Sequence, residues 1–144
     1  MVIAMIADEK KEELLAQFCI AYCGVLSRQT IYAPAETAKY ISDATGLNIE
    51  AVLSASSGGI EQITSRAFYD EIDILFCFRD TEKDDFTVAH QSELLKVCDA
   101  HDVPTATNPA TAEVLIRALE NGDLDYRKFI NPVSEYNINK KNNK

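Results

Sequence analysis

Stretches that read as buried β-strands alternate with stretches of helical periodicity along the whole of this chain. Val2–Ala7 is a short, continuous apolar run. After it comes a helix over 9–26, with Leu14, Leu15, Phe18, Cys19, Tyr22, Val25 and Leu26 on one face. A short strand over 30–33 precedes a helix over 36–45 that Gly46 ends, and then a strand over 49–54 that reads as buried. A glycine turn opens a helix reaching Tyr69, and 72–78 is the most apolar strand, expected at the centre of the sheet. A charged loop over 79–86, a helix over 87–101 and a fifth strand over 103–107 follow. The helix over 109–120 carries Pro109 in its first turn and Asn121-Gly122 as its stop. Strands separated by helices pair in parallel, and the crossovers lay helices on both faces of the sheet. The expected fold class is α/β: a single domain over 1–134, a parallel five-stranded sheet in a three-layer sandwich. The polar segment 135–144 is expected to be a disordered tail.

Ligands of such sheets gather at the carboxyl ends of the strands. Those ends are Asp8-Glu9, 33–37, 54–59, Arg79-Asp80 and 106–109. All converge on Ser54-Ala55-Ser56-Ser57-Gly58-Gly59-Ile60-Glu61-Gln62, where small residues carry a strand into a helix. Backbone amides at a helix N-terminus, with the positive end of its dipole, suit an anion such as phosphate. A serine-rich turn that only caps the helix reads equally well. The spacing is neither the three-glycine dinucleotide fingerprint nor a Walker loop with its Lys.

Composition narrows the partners. With 144 residues the chain is long enough for one real core, and 47% apolar with 26% charged residues is ordinary for a globular domain. A net charge of −9 argues against nucleic acid or an anionic membrane surface. No run approaches the length of a membrane span, and Met1 to Ala7 lacks the basic flank of a signal peptide. The expected location is the cytoplasm. Cys19 and Cys23 lie four apart on a helix without a His at ligand spacing; Cys77 lies in a strand and Cys98 on a helix. Buried free thiols are expected, with no metal and no cofactor.

A resemblance then emerges from particular residues. Ile3-Ala4-Met5-Ile6-Ala7, Tyr32-Ala33, Ala44-Thr45-Gly46-Leu47-Asn48-Ile49, Ser54 with Gly58-Gly59 and Gln62, Arg79-Asp80, Cys98-Asp99, Pro104, Ala106-Thr107-Asn108 and Thr111-Ala112-Glu113 together resemble methylglyoxal synthase. The match runs from Met1 to about Ile130 without gaps. It implies a Rossmann-like sandwich and a homo-oligomer, usually a hexamer. It also implies a lyase that takes dihydroxyacetone phosphate through an enediolate to methylglyoxal and phosphate. The same fold serves as an effector-binding domain in carbamoyl phosphate synthetase.

The positions that match the family's catalytic parts differ in kind. Its His-Asp after the first strand is Asp8-Glu9 here, its Lys one turn later is Glu12, and its Thr-Gly-Thr-Thr-Gly loop is Pro34-Ala35-Glu36-Thr37-Ala38. Its carboxylate base after the two glycines is Ile60, its later His is Thr87, and an Asp three residues on is His90. Removing a proton alpha to a carbonyl requires a base within hydrogen-bond reach, a contribution of roughly two to four orders of magnitude in rate. Ile60 cannot accept a proton, and Glu61 on a helix start points about 100° away from it. The expectation is a catalytically deficient, small-molecule-binding or regulatory member of the family. The alternative is an active synthase, or a lyase on another substrate that uses Glu9, Glu61 or Asp80.

A phosphorylated or polyhydroxylated ligand would be held by Asp8, Glu36, Thr37, Ser54, Ala55, Ser56, Gly58, Gly59 and Asn108. Against this stand plainer roles. Asp80 reads as a loop charge, Asn108 and Thr111 as caps of the last long helix, and His90 and His101 as solvated. Arg127 matches a basic residue near a neighbouring subunit's site, or is a surface charge. A receiver domain is disfavoured because no Lys follows the fifth strand.

Overall fold

The computed structural model describes residues 1–82 and 85–143, the side chains of 85–88 excepted. Its strands are β1 (Val2–Ala7), β2 (Thr30–Pro34), β3 (Glu50–Val52), β4 (Ile74–Phe78) and β5 (Thr105–Ala106). They form one sheet in the order β3-β2-β1-β4-β5, and every neighbouring pair is parallel. The helices are α1 (Glu12–Ala21), α2 (Cys23–Leu26), α3 (Ala35–Thr45), α4 (Gly59–Phe68), α5 (Asp85–Ala100), α6 (Pro109–Glu120), α7 (Arg127–Ile130) and α8 (Glu135–Asn142). The chain is a parallel α/β domain, as the alternation of its sequence requires.

Alternation along β1 builds two cores. Ile3 and Met5 join Leu15, Phe18, Ile41, Phe76 and Ile116 on one face, which α1, α3 and α6 cover. Val2, Ala4 and Ile6 join Ile60, Ile63, Leu75, Cys77 and Leu94 on the other, which α4 and α5 cover. Successive strand side chains point to opposite faces, so both sets must be apolar in a strand sandwiched between helices.

The middle of the sheet belongs to β1, and β4 lies beside it. An apolar run reports that both faces are covered and cannot rank two interior strands. β3 is not the buried strand its sequence suggests: Glu50 and Ala51 are exposed, and it is a three-residue edge with one neighbour. The first helix is broken where Tyr22 leaves helical geometry at φ −115° and ψ 25°. Val25 and Leu26 are nevertheless buried beyond the break, so the apolar periodicity hides it. The tail expected to be disordered folds as α8, whose first turn is capped by Ser134 accepting from Asn137 N at 3.1 Å.

Arg127 is fully buried, contrary to a surface role. Its Nε donates to Asp73 Oδ1 at 3.2 Å and its Nη2 to the Ile72 carbonyl at 2.8 Å. The other oxygen of Asp73 accepts from Val2 N at 2.8 Å and from Asn131 Nδ2 at 3.1 Å. This polar knot lies at the amino ends of β1 and β4, opposite the carboxyl ends of the strands.

The four cysteines are free, with Cys19, Cys77 and Cys98 buried and Cys23 only half-buried. Burial pushes Cys19 and Cys77 up to about 12 and Cys98 up to about 11, so all three are thiols at neutral pH. Among the described residues no helix is long and apolar enough to cross a membrane, and no group of three or more His, Cys, Asp or Glu is placed to hold a metal.

Candidate ligand-binding cleft

A cleft of about 650 Å³ opens over the carboxyl ends of β1 and β2, walled by α3, α4 and α5. Its position follows from topology, because the strand order reverses direction beside β1. Asp8 and Glu9 come from the end of β1, Glu12 from the start of α1, and Glu36 and Thr37 from the first turn of α3. Ala55, Ser56, Gly58, Ile60 and Glu61 come from the glycine turn and α4.

The two glycines are there for different reasons. Gly58 has φ +105°, a conformation that L side chains rarely adopt. At Gly59, a Cβ would lie 1.9 Å from the carbonyl oxygen of Leu53. The Ser54 carbonyl accepts from Ser57 N at 3.0 Å and Gly59 N at 2.9 Å, and Leu53 N donates to Gln62 Oε1 at 2.8 Å. These demands come from the turn itself, so its glycines are needed whatever the cleft holds.

A third amide of the turn is engaged from outside it. Ala55 N donates at 3.0 Å to Glu36 Oε1, a carboxylate that reaches across from α3. Asp8 is buried, and accepts from Asp80 N at 2.6 Å and from Gln91 Nε2 at 2.8 Å. Glu12 is 9% exposed, hydrogen-bonds Thr37, and buries Oε2 without any partner. Desolvation pushes its carboxyl above the ordinary value; the Thr37 hydrogen bond opposes this, and the charges of Glu36 and Glu9 add to it. Ile60 forms part of the wall and is 5% exposed. Glu61 pairs with His90 Nδ1 at the rim.

Of the residues singled out from sequence, Asp8, Glu9, Glu36, Thr37, Ala55, Ser56, Gly58 and Glu61 line the cleft. Ser54 and Gly59 shape the turn without lining it. Asn108 is not in the lining and accepts from Thr111 N at 3.1 Å, capping α6. Asp80 accepts from Glu82 N at 3.0 Å, a local loop bond. His101 pairs with Asp70 at 2.9 Å rather than standing solvated, and His90 reaches the cleft. The Thr87 side chain lies outside the described residues. Gln91, buried and holding Asp8, has no sequence signal beyond a polar residue on a helix.

The electrostatics are one-sided. Asp8, Glu9, Glu12, Glu36 and Glu61 line the cleft, and no Lys or Arg is among the described lining residues. Two like charges about 5 Å apart at an effective dielectric of about 20 repel by roughly 3 kcal/mol. Glu12 bears the result. Its folded-state carboxyl lies above the unfolded value, so it costs stability as pH rises through the folded value. Glu12→Gln is therefore expected to match wild type at acid pH, where Glu12 is protonated in both states, and to be the more stable of the two at pH 7. Chemical denaturation across that range checks it; a constant gap would show that Glu12 does not titrate with folding.

No protein-family model matches this chain. A methylglyoxal synthase of Caldicellulosiruptor saccharolyticus is 44% identical over 137 residues, covering 95% of this chain and 97% of that protein. One from Thermoanaerobacter pseudethanolicus is 40% identical over 132 residues, 90% of this chain and 98% of the relative. Among solved structures, the methylglyoxal synthase of Elizabethkingia anophelis superposes with a TM-score of 0.71. It is 24% identical and covers 80% of this chain and 76% of its own, a likeness of fold.

Proposed function

The chain belongs to the methylglyoxal synthase family, and from that premise we propose that it binds a small polar metabolite in the carboxylate-lined cleft without efficient synthase turnover. The observation that carries this reading is Ile60. It stands in the wall directly after Gly58-Gly59, where the family's resemblance puts the proton-abstracting carboxylate. Neither Glu61, tied to His90, nor Asp8, held by Asp80 N and Gln91, replaces it at that position. The anion side is altered as well. A phosphate dianion would meet five carboxylates, two of them, Glu12 and Glu36, where the resemblance puts a Lys and a Thr, and the amide of Ala55 already donates to Glu36.

A second reading, active synthase, is favoured by the names of relatives at 40–44% identity. The two separate on one assay. Methylglyoxal formed from dihydroxyacetone phosphate should stay at the buffer rate with wild type and with Ile60→Asp, because catalytic groups that act as a unit are not restored singly. Turnover in the ordinary enzyme range of about 1–1000 per second ends the binding reading. The proposal includes a cytoplasmic location, consistent with four free thiols. It also includes a homo-oligomer, which exposed apolar side chains on α7 and α8, among them Phe129 and Tyr136, would serve.

A further inference from the structure

We propose that the ligand of this cleft carries a primary ammonium group that seats against Glu12, in a cleft that Glu9 and Glu36 also line. The inference rests on the binding reading above and specifies its ligand class.

The acceptors of the cleft differ in what they have left to give. Each oxygen of Asp8 already takes a donor from the protein, and Glu36 Oε1 takes the Ala55 amide. Glu61 is engaged by His90. Glu12 stands apart by burial: it is nine-tenths buried, lines the cleft, and its Oε2 is cut off from water with no donor from the protein. A buried acceptor without a donor is rare in folded proteins, and a ligand can supply what the chain does not.

Charge selects the kind of donor. Glu9 and Glu36 lie close enough to act on Glu12, and burial disfavours its charged form further. A cation at this point relieves all three effects together. A hydroxyl offers one donor and no charge, whereas an ammonium offers three donors and a compact positive charge. A guanidinium prefers two coplanar oxygens presented together, whereas Oε2 of Glu12 is buried. A bare divalent cation needs several carboxylates converging, and among the described residues no such group exists. The cleft, at about 650 Å³, is of the size of ordinary small-molecule sites.

Matched pairs of probes test this on the full chain: putrescine against 1,4-butanediol, and glucosamine against glucose, by calorimetric titration. At least one amine should bind about tenfold tighter than its neutral counterpart. Glu12→Gln, folded by its melting curve, should lose about tenfold for that amine. Equal binding of the neutral partners, undiminished amine binding by Glu12→Gln, or no binding of either amine at millimolar concentration overturns the inference. So does magnesium chloride alone binding in a Glu12-dependent way. These results leave the broader reading in place, whereas turnover of dihydroxyacetone phosphate would remove that reading itself.

Discussion

Asp73→Ala is expected to cost about 3–5 kcal/mol of folding stability, a large share of the roughly 5–15 kcal/mol that holds a domain together. Asp73 is 3% exposed, and its two oxygens take donors from Arg127, Val2 and Asn131. Without it, a fully buried guanidinium loses its counter-charge, and Arg127 Nη1 already has no hydrogen-bond partner. Val2 N at the start of the central strand loses its acceptor at the same time. The loss therefore combines an orphaned charge with an orphaned amide. Urea denaturation measures it. Asp73→Asn, which keeps an acceptor but not the charge, should fall between alanine and wild type. Removing Arg127 as well, as Asp73→Leu with Arg127→Met, should recover part of the loss because no charge is left unpaired. A single-mutant cost below about 1 kcal/mol would mean that water reaches the guanidinium, and the knot would not be the clamp described here.

Gly59→Ala is expected to destabilise by at least about 3 kcal/mol, more than the same change at Gly46 or Gly58. The added Cβ would lie 1.9 Å from Leu53 O, 2.9 Å from Leu53 C and 3.0 Å from Ser54 O. All three are backbone atoms, so no rotamer change relieves the clash. The turn would have to open, and with it the Gly59 N bond to Ser54 O at 2.9 Å. Gly46 offers the comparison. Its φ is +76° with nothing within 4 Å, so alanine there bears only the left-handed strain of about 1–2 kcal/mol. Paired thermal melts should rank the two unambiguously. If Gly46→Ala proved the worse, close approach would not be what Gly59 is needed for. Because Ala55, Ser56 and Gly58 line the cleft, opening this turn should also abolish ligand binding.

Much of this protein was legible in its sequence because the relevant forces are local. Apolar runs bounded by turn residues give five strands, and a period of 3.6 gives the helices between them. Gly46 ends α3 with positive φ, and Asn108 caps α6 through Thr111 N, each within a few residues of its partner. The carboxyl-end location of the cleft follows from parallel order alone. That Ile60, which has no group to accept a proton, follows Gly58-Gly59 is likewise a fact of sequence.

Tertiary structure decided how the polar side chains meet. Glu36 reaches Ala55 across 19 residues, Arg127 reaches Asp73 across 54, and Gln91 reaches Asp8 across 83. Periodicity reports which face of an element is apolar, and says nothing of which long side chain from a distant element will arrive there. That is why the sequence leaves Arg127 between a surface charge and a residue near a neighbouring subunit's site, whereas it is buried, and why the apolar run of β4 suggests the centre while β1 holds the middle. It is also why the 135–144 segment read as disordered: its composition is polar, but Asn137 Nδ2 donates to the Lys128 and Asn131 carbonyls at 3.1 and 2.8 Å and holds α8 against α7. The chain specifies its own layers through local pattern; only the packed fold brings the carboxylates into one cleft and leaves Glu12 Oε2 buried there without a donor.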